Sequence, residues 1–397
     1  MSAPSQALGT RTRERRHCRN ETCRAGRKRL LLFASGLYLE SSVGQLVCML
    51  CQEYDSLVIC MHTDLADNRG RMPEGMDVTV FRKPYWRNYG WLRRLIRQEN
   101  IGAVWCYNLP PLFHSIPATL FTGARLVMNF MGGDIQYNKR LDYGFRKSWS
   151  RNLVFHALMR FPSRFVCMSP FIEELARSAH IPQRKIAVIP NMFHIEQEFA
   201  PASDREVADL RRALGLRDER LVVSVGRHAA TKRMDQLIRA AQVVRGRRGD
   251  VCFLVVGTGE RIEENRNLAR ELDLVNTLRF VEHIPRGQLR LYYAAGDVSC
   301  NVSDKDAFCN PVIEAMTQGT PVVVGPNVGA GRYLTGEPFC QVVNPGDVHS
   351  IADGICRMLD GDVKRTHASA AIARAREFDV SRVFPLWRAL FDEMLAS

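Results

Sequence analysis

Short apolar runs alternate with longer helical stretches along most of the chain, starting at residue 29. Seven runs lie in the first half, at Arg29–Gly36, Leu57–Met61, Val78–Phe81, Ala103–Tyr107, Leu126–Phe130, Phe165–Met168 and Ile186–Ile189. Continuous apolar runs of this length are typical of strands that are buried on both faces of a parallel sheet. Among the helical stretches between them, residues 173–177 are the clearest, because they follow Ser169-Pro170 and place acidic residues in the first turn.

The pattern breaks at about residues 191–220, where residues 200–204 form a loop and a charged helix then runs to Gly215. A second series of apolar runs follows at Leu221–Val225, Cys252–Val256, Leu278–Val281, Val298–Asn301, Pro321–Val324 and Cys340–Val343. The helical stretches between them are 233–245, 261–272, 287–295, 311–318 and 349–359. This alternation predicts an α/β fold of two Rossmann-like parallel-sheet domains facing across a cleft, where the carboxyl ends of the strands bind ligands.

These patterns divide the chain of 397 residues into four parts. Residues 1–28 form a basic, disordered segment, 29–200 an N-terminal domain and 201–378 a C-terminal domain, and 379–397 a helix that we expect to return toward the N-terminal domain. The sequence has no apolar run of about 18 residues and no apolar signal-peptide core, so we predict a cytoplasmic protein without a transmembrane helix.

The positive charge is unevenly distributed. The formal net charge is +13, and residues 11–29 carry nine Arg or Lys against two Glu. This basic head is either a solvated tail, a contact for nucleic acid or an anionic membrane, or an organelle transit peptide. Residues 82–97 combine six cations with four aromatic side chains. They form either a peripheral contact with an anionic membrane or acceptor, or an ordinary helix with its aromatics in the core. We expect no specific nucleic-acid partner.

Twelve cysteines are spread along the chain. Cys48 and Cys51 have redox spacing, but they lie in an apolar helical stretch without a second Cys or His pair, which favours core packing. His17, Cys18 and Cys23 lack a fourth metal ligand nearby. The sequence therefore predicts no metal site from its cysteines.

Three segments in the second half carry chemistry, and each follows a predicted strand. In the first, Gly226 precedes Arg227 and Lys232 at a strand–helix junction, where Gly226 allows a sharp turn. Two cations beside a helix N-terminus favour a diphosphate site, although such cations are usually surface charges when they occur alone.

The second segment contains Gly257 and Gly259, which allow the backbone to approach a ligand closely or simply form a turn. The third runs from Asp306 to Glu314 and continues into Gly319-Thr-Pro-Val-Val. Its two carboxylates are eight residues apart, one before a helix and one inside it, so both can face the cleft and accept hydrogen bonds from sugar hydroxyls. As an isolated pair they would be two surface acids flanking a helix.

Taken together, these segments resemble the donor-binding domain of the family 4 glycosyltransferases, which have the GT-B fold. That family has a Gly-Arg…Lys loop, a Gly-x-Gly turn and an acidic-x7-Glu motif leading into Gly-Thr-Pro-Val-Val, in this order. The stretch Phe165–Glu174 followed by Ile189-Pro190-Asn191 is similar to the family's segment before the linker. The resemblance covers most of residues 29–395.

The resemblance implies a role for each matching residue. Arg227 and Lys232 would hold the donor diphosphate and stabilise its charge as it leaves. Glu314 would bind the ribose hydroxyls, and Asp306 the transferred sugar. Further donor contacts would come from the backbone amides at Phe308, Cys309 and Asn310 and from the close approach that Gly36, Gly226, Gly257 and Gly259 allow. The family retains the anomeric configuration, and the resemblance implies a route in which the diphosphate itself helps take the acceptor proton.

The chain departs from the family pattern in several places, including Asn191-Met192 in place of the common Asn-Gly and a loop after the first predicted strand with only Gly36 and Gly44. Two further departures concern the candidate site residues. Asp306 replaces the usual Glu, which shortens its reach to the sugar by one methylene. Met131 stands where many members have the His of a His-Gly-x-Asp motif, so Asp134 alone is left as a catalytic candidate on the acceptor side. Loop polarity explains Asp134 equally well.

The sequence thus predicts a retaining glycosyltransferase that uses a nucleotide-sugar donor as its substrate and needs no cofactor. The acceptor remains unidentified. Asp304-Lys305-Asp306 matches the Asp-x-Asp metal signature of another glycosyltransferase fold, but it overlaps the acidic-x7-Glu motif, so we expect no metal. The alternatives are a sugar-nucleotide epimerase or phosphorylase on the same fold, and a non-enzymatic protein that binds nucleic acid.

Overall fold

The computed structural model describes residues 28–37, 41–62, 76, 78–81, 83, 85–137 and 143–396. The predicted basic segment 1–28 lies outside the described residues except for Lys28, and so does the trio His17, Cys18 and Cys23. The described chain forms two parallel sheets, one in each half.

The first sheet has seven strands in the order β3-β2-β1-β4-β5-β6-β7, and every pairing is parallel. The strands are β1 Arg29–Gly36, β2 Ser56–His62, β3 Val78–Val80, β4 Ile101–Tyr107, β5 Arg125–Phe130, β6 Arg164–Cys167 and β7 Ile186–Val188. The helices of this half are α1 Ser42–Glu53, α2 Tyr89–Gln98, α3 Leu109–Thr119, α4 Trp149–Leu158, α5 Pro170–Ser178 and the short α6 Ile195–Glu198. The order of the strands reverses between β1 and β4, which is where ligands bind in sheets of this type.

The second sheet has six parallel strands in the order β10-β9-β8-β11-β12-β13. They are β8 Arg220–Val225, β9 Val251–Val256, β10 Leu278–Val281, β11 Val298–Asn301, β12 Val322–Val324 and β13 Cys340–Val342. The helices are α7 Asp204–Ala213, α8 Met234–Arg247, α9 Ile262–Glu271, α10 Arg286–Ala295, α11 Asn310–Thr317, α12 Gly329–Arg332, α13 Val348–Asp360 and α14 Val363–Ala375. The predicted fold of two parallel-sheet α/β domains is confirmed.

The chain crosses between the halves twice, and the two crossings are hydrogen-bonded to each other. The Phe193 amide donates to the Phe378 carbonyl at 3.0 Å, and the Val380 amide donates to the Phe193 carbonyl at 2.9 Å. After the second crossing, α15 Val380–Leu395 packs on the first sheet, where the Trp387 ring meets Trp105 of β4 edge to face at 5.8 Å. None of the described helices combines the length and the apolar character needed to cross a bilayer.

The described aromatic side chains of segment 82–97 are turned toward the protein. Tyr85, Tyr89 and Trp91 are half-buried and pack against the core beside Phe81. Two of the three arginines of α2, Arg94 and Arg97, are exposed, and Arg93 is half-buried. This arrangement agrees with the alternative in which the aromatics belong to the core, and it leaves mainly positive charge on the surface of the segment.

Cys48 and Cys51 are free thiols on α1, and both are half-buried. Burial raises the pKa of Cys51 to about 12, and the neighbouring Cys48 adds to the effect. A thiol with so high a pKa stays protonated at neutral pH and is a poor nucleophile. Cys48 and Cys51 therefore contribute to the packing of α1, which agrees with the interpretation that the sequence favoured over redox or metal chemistry.

Trp387 anchors the C-terminal helix, so its truncation should loosen the whole first half. We expect Trp387→Ala to lower the free energy of unfolding by about 3–5 kcal/mol, because a large buried ring leaves a cavity. The measurement is chemical denaturation. Leu386→Ala is the matched control, since Leu386 is 45% exposed on the same helix and should change stability by less than about 1 kcal/mol. Equal effects of the two substitutions would contradict this role of Trp387.

Candidate active site

Two loops of the second half pack tightly against each other at the carboxyl edge of the sheet. Gly257 and Gly259 have φ angles of +137° and +151°, which side-chain-bearing residues rarely adopt. A Cβ at Gly257 would lie 2.1 Å from the Gly226 carbonyl oxygen, and one at Gly259 would lie 2.7 Å from the backbone of His228. The His228 amide also donates to the Thr258 carbonyl at 2.8 Å. The Gly-x-Gly turn therefore fixes the backbone that carries Arg227.

The other two predicted glycines behave differently. Gly226 lies in a bend directly after β8, as the sequence predicted, but it does not have a positive φ, and a Cβ there would meet only Met234 at an ordinary 3.5 Å, so the bend does not require glycine. Gly36 ends β1, where it pairs with His62, and the loop that follows at 38–40 lies outside the described residues.

The predicted cations and the first acid of the acidic-x7-Glu motif converge. Lys232 is half-buried and forms a close ion pair with Asp306. Burial lowers the pKa of Lys232, but the Asp306 carboxylate and Cys309 together raise it above its ordinary value, so Lys232 stays charged at neutral pH. Arg227 is exposed and near enough to influence the pKa of Lys232. The neighbouring Asp304 pairs with Arg233 at 3.6 Å.

The segment that carries Asp306 is also where the second half contacts the first. The Ser169 hydroxyl, at the start of α5, donates to the Ala307 carbonyl at 2.6 Å. The Asn310 side chain accepts from Asn191 at 2.8 Å and donates to the Ser42 hydroxyl at 3.1 Å. The side chain of Asn310 therefore joins the two halves, which leaves only its backbone amide for the predicted donor contact.

Phe308 and Cys309 form the turn into α11. The Phe308 ring is buried against Phe193 and Phe378, and its amide donates to Asp306 in a long bond of 3.3 Å. Cys309 has a φ of +73°, which is unusual for a residue other than glycine. The turn is thus held by a buried anchor on one side and by Asp306 on the other.

Glu314 is buried on α11 and has a specific partner. The Tyr293 hydroxyl of α10 donates to its Oε2 atom at 2.9 Å. Burial raises the pKa of Glu314, while the nearby Arg286 guanidinium and the Tyr293 hydrogen bond act in the opposite direction. The hydrogen bond orients the carboxylate, which is a requirement for a group that recognises hydroxyls by geometry.

Asp134 has a structural set of partners. One carboxylate oxygen accepts from the Leu109 amide at the start of α3, and the other accepts from the Met131 amide, both at 2.9 Å. Burial raises the pKa of Asp134 to about 6, although these two amides lower it. Because both oxygens are occupied by backbone, Asp134 shapes the loop and caps a helix rather than standing free in the cleft.

Tyr143 of the first half lies opposite the cations and acids of the second. Burial raises the pKa of Tyr143, the Asp306 and Asp134 carboxylates raise it further, and Lys232 and Arg227 lower it. All four charges therefore act on one hydroxyl group. The predicted residues Arg227, Lys232, Asp306 and Asp134 are thus brought together around the cleft.

A small pocket with a volume of about 20 Å³ lies on the first half's side of the cleft. It is lined at the carboxyl edge of the first sheet by Tyr107, Asn129 and Asn191, with Ser42 from α1 and Trp387 from α15. Within the described part of the chain, its lining contains polar and apolar side chains but no charged one.

Two family models match consecutive parts of the chain. Residues 40–197 match the Glycosyltransferase Family 4 model, and residues 206–377 match the model described as Glycosyl transferases group 1. Together they cover most of the chain, one model for each half. The chain belongs to the family 4 glycosyltransferases. It is therefore an enzyme that uses a nucleotide-sugar donor, as the sequence predicted, and the epimerase, phosphorylase and non-enzymatic alternatives give way to this assignment.

Individual relatives agree with the family. A GDP-mannose-dependent alpha-(1-6)-phosphatidylinositol monomannoside mannosyltransferase of Mycolicibacterium smegmatis is 26% identical over 71% of this chain and 73% of its own. A D-inositol 3-phosphate glycosyltransferase of Kribbella flavida is 32% identical over 45% of this chain and 44% of its own. The structure of Anabaena Alr3699/HepE in complex with UDP superposes with a TM-score of 0.78 and 20% identity, over 92% of this chain and all of that one. The predicted GT-B fold is confirmed.

Two residues of this glycosyltransferase site were missed by sequence reasoning. Tyr293 sits next to Tyr292 in a predicted helix, and nothing in that pattern indicates which tyrosine faces Glu314. Tyr143 lies in a loop with no motif of its own. Both contacts join residues that are far apart in the chain, so only the folded structure reveals them.

The packing of the two loops predicts that Gly259 cannot be replaced. We expect Gly259→Ala to lower the free energy of unfolding by about 2–4 kcal/mol, because the new Cβ meets backbone and the φ is strained. Chemical denaturation measures this loss. Gly246→Ala is the matched control: a Cβ at Gly246 meets no atom within 4 Å, and alanine is the better helix former there. A Gly259→Ala protein as stable as the control would show that the loops are not in this contact.

The raised pKa of Asp134 predicts a specific pH dependence. Its pKa lies at about 6 in the folded chain against 3.8 ordinarily, so the folded state binds more protons than the unfolded state between these values. Asp134 therefore contributes a stability that falls as pH rises from about 4 to about 6, by about 3 kcal/mol at most. The measurement is the free energy of unfolding of the wild type minus that of Asp134→Asn, across this range. A difference that stays constant with pH would contradict the raised pKa.

Proposed function

We propose that the donor's diphosphate binds over Arg227 and Lys232, with Asp306 holding the transferred sugar and Glu314 the ribose hydroxyls. The observation that carries this proposal is the Lys232–Asp306 ion pair beside the exposed Arg227, at the carboxyl edge of the second sheet. A diphosphate needs cations with hydrogen-bond donors, and a sugar needs an oriented acceptor. The site offers both, side by side.

The ion pair is suited to an exchange of partners. When a diphosphate arrives, its oxygens compete with Asp306 for the Lys232 ammonium group, which remains charged because its pKa is raised. The freed Asp306 carboxylate then accepts hydrogen bonds from sugar hydroxyls. Before the donor arrives, the two side chains neutralise each other, so neither half-buried charge is left unpaired.

Retention of the anomeric configuration is supported by how the acids of the cleft are engaged. A double displacement needs a free carboxylate as nucleophile. Among the described residues, Asp134 is held by two amides and Asp304 by Arg233. Asp306, once the diphosphate releases it from Lys232, is occupied by the sugar hydroxyls in this scheme. We therefore favour attack by the acceptor oxygen on the face that the diphosphate leaves. The bond from the anomeric carbon to the diphosphate breaks, the new glycosidic bond forms, and a phosphate oxygen takes the acceptor proton.

No cofactor is needed in this scheme, because Arg227 and Lys232 supply the positive charge that a metal would otherwise bring to the leaving group. The acids of the Asp-x-Asp match are both paired, and a metal would first have to displace Arg233 and Lys232. The small pocket beside Tyr107, Asn129 and Asn191 has no charged side chain in its described lining, which favours a neutral hydroxyl group of the acceptor at this edge of the sheet. A peripheral contact with an anionic membrane, through segment 82–97 and the basic head, completes the proposal, together with a cytoplasmic location.

Arg227→Ala is the sharpest test, because the exposed side chain has no structural partner within the described residues. We expect kcat/KM to fall by about 100- to 1,000-fold, as is usual when one charge-stabilising group is lost, with no change in the unfolding midpoint. Arg239→Ala is the matched control, an exposed arginine on α8 that should leave activity unchanged. The assay uses the full chain and a panel of GDP- and UDP-sugars, scored first by their effect on the melting temperature.

Three results would overturn the proposal. Normal turnover by Arg227→Ala would remove the diphosphate site, and a thermal shift that is the same in this variant and the wild type would do likewise. A product whose anomeric proton shows inverted configuration by NMR would rule out attack on the leaving-group face.

A further inference from the structure

The exposed apolar side chains of this protein are concentrated in one region. Eleven large apolar side chains are exposed in the described chain, and eight of them lie between residues 113 and 161. Two are almost fully exposed, Phe121 at 89% and Trp149 at 81%. Scattered exposed apolar residues need no explanation, but a concentration of aromatic residues in one region marks an interaction surface.

These residues share one face of the first half. Helix α3 connects β4 to β5 and α4 connects β5 to β6, and right-handed crossovers between neighbouring parallel strands place both helices on the same side of the sheet. Phe113 lies on the outer side of α3, with Phe121 just beyond its end. Trp149 and Leu153 lie one turn apart on the outer side of α4. We call this surface the α3–α4 face.

Phe121 is held out at an energetic cost. Its φ is +59°, a left-handed conformation that costs a bulky residue about 1–2 kcal/mol. The structure maintains this strain while the ring stays in solvent, so the ring gains no compensating burial within the chain. The left-handed conformation follows the C-cap residue of α3 and ends the helix there, which turns the Phe121 ring outward instead of into the core.

The α3–α4 face is bordered by positive charge, which favours an anionic partner. Helices α2, α3 and α4 contain no Asp or Glu, and residues 143–163 carry four Arg or Lys and no acid. Within the described residues, Arg94 of α2 and both Arg151 and Arg160 around α4 form no ion pair, and all three are exposed. Helix α2 packs beside α3, so its cations border the same face. A second copy of the chain would bring like charges together, which disfavours a self-interface.

We propose that the α3–α4 face lies on an anionic membrane, with Phe121, Trp149 and Leu153 inserted at the headgroup level and Arg151 and Arg160 bound to lipid phosphates. This inference rests on the membrane contact of the proposed function but moves its centre away from segment 82–97, whose described aromatics face the core. Aromatic residues favour the membrane interface, and each Arg or Lys near an anionic surface adds about 1 kcal/mol of attraction.

The geometry also orients the active site. The amino ends of α3 and α4 lie at the carboxyl edge of the first sheet, where Asp134 binds the start of α3. Trp149 follows Tyr143, the tyrosine that faces the charges of the second half, by only six residues. A membrane on this face would therefore lie beside the cleft.

The test is co-sedimentation of the full chain with vesicles of phosphatidylcholine alone or phosphatidylcholine mixed with phosphatidylglycerol. We expect the wild type to bind only the anionic vesicles. Trp149→Ser with Leu153→Ser should lower the partition coefficient at least about tenfold at all salt concentrations, because apolar contact is lost. Arg151→Glu should lower it about tenfold or more in low salt and less in high salt, because that contact is electrostatic.

The controls match these changes in chemistry but lie in the second half. Val275→Ser replaces an apolar side chain that is 56% exposed, and Arg205→Glu reverses an arginine whose side chain is 93% exposed. Both should bind vesicles as the wild type does. All variants change exposed residues away from the donor site, so their melting temperatures and the thermal shift with nucleotide sugars should be unchanged.

Each other outcome has a definite meaning. A wild type that ignores anionic vesicles overturns both the membrane contact and this face, while leaving the donor site intact. Wild-type binding that survives the changes at Trp149, Leu153 and Arg151 places the contact elsewhere and overturns the α3–α4 face alone. A change in oligomeric state without a change in vesicle binding would identify the face as a contact between copies and also overturn the proposal.

Discussion

The paired crossings of the chain are the constraint on which the rest of the site depends. The backbone of Phe193 is hydrogen-bonded to both Phe378 and Val380. The segment that leaves the first half and the segment that returns to it therefore run side by side. The segment around Ala307 then contacts Ser169 of the first half directly. Because the halves are joined at these points, the carboxyl edges of both sheets contribute to one cleft.

Within that cleft, the charges are arranged in pairs that a donor can replace. Lys232 with Asp306 and Arg233 with Asp304 balance each other before any ligand binds. A buried charge without a partner would destabilise the chain, whereas a paired one can exchange its partner at little cost. Arg227 belongs to neither ion pair. Its charge would attract the donor diphosphate and is not expected to stabilise the fold. The Gly-x-Gly turn holds its backbone in place, which keeps the position of that charge fixed.

The sequence predicted the secondary structure well because the strands are buried on both faces. Runs such as Cys252–Val256 are apolar throughout, so their ends are visible without any knowledge of their neighbours. Helix α14 was missed because it carries charge on several sides and has no clear apolar stripe. The position of α15 on the first sheet depends on the contact of Trp387 with Trp105, although the return of the chain could be expected from the fold.

The chemistry was predictable where a motif names both the residue and its role, and not where the role depends on a distant partner. The convergence of Lys232 and Asp306 followed from two strand ends. The two backbone amides that occupy Asp134, and the tyrosine that orients Glu314, are contacts across the fold that no local pattern encodes. The glycines also show that a local pattern does not reveal distant contacts. The sequence predicts a similar role for Gly226 and Gly259, but of these two only Gly259 packs against the backbone of another loop.

The distance between the cleft and the α3–α4 face limits what kind of acceptor this enzyme can serve from a membrane. Six residues separate Tyr143 from Trp149, and a chain of six residues spans about 20 Å at most. A lipid-linked acceptor seated beneath Trp149 would need a headgroup no longer than this to bring a hydroxyl to the donor sugar. A headgroup of one or a few sugar units lies within that limit. The uncharged lining beside Asn129 and Asn191 agrees with a sugar hydroxyl as the group that arrives there.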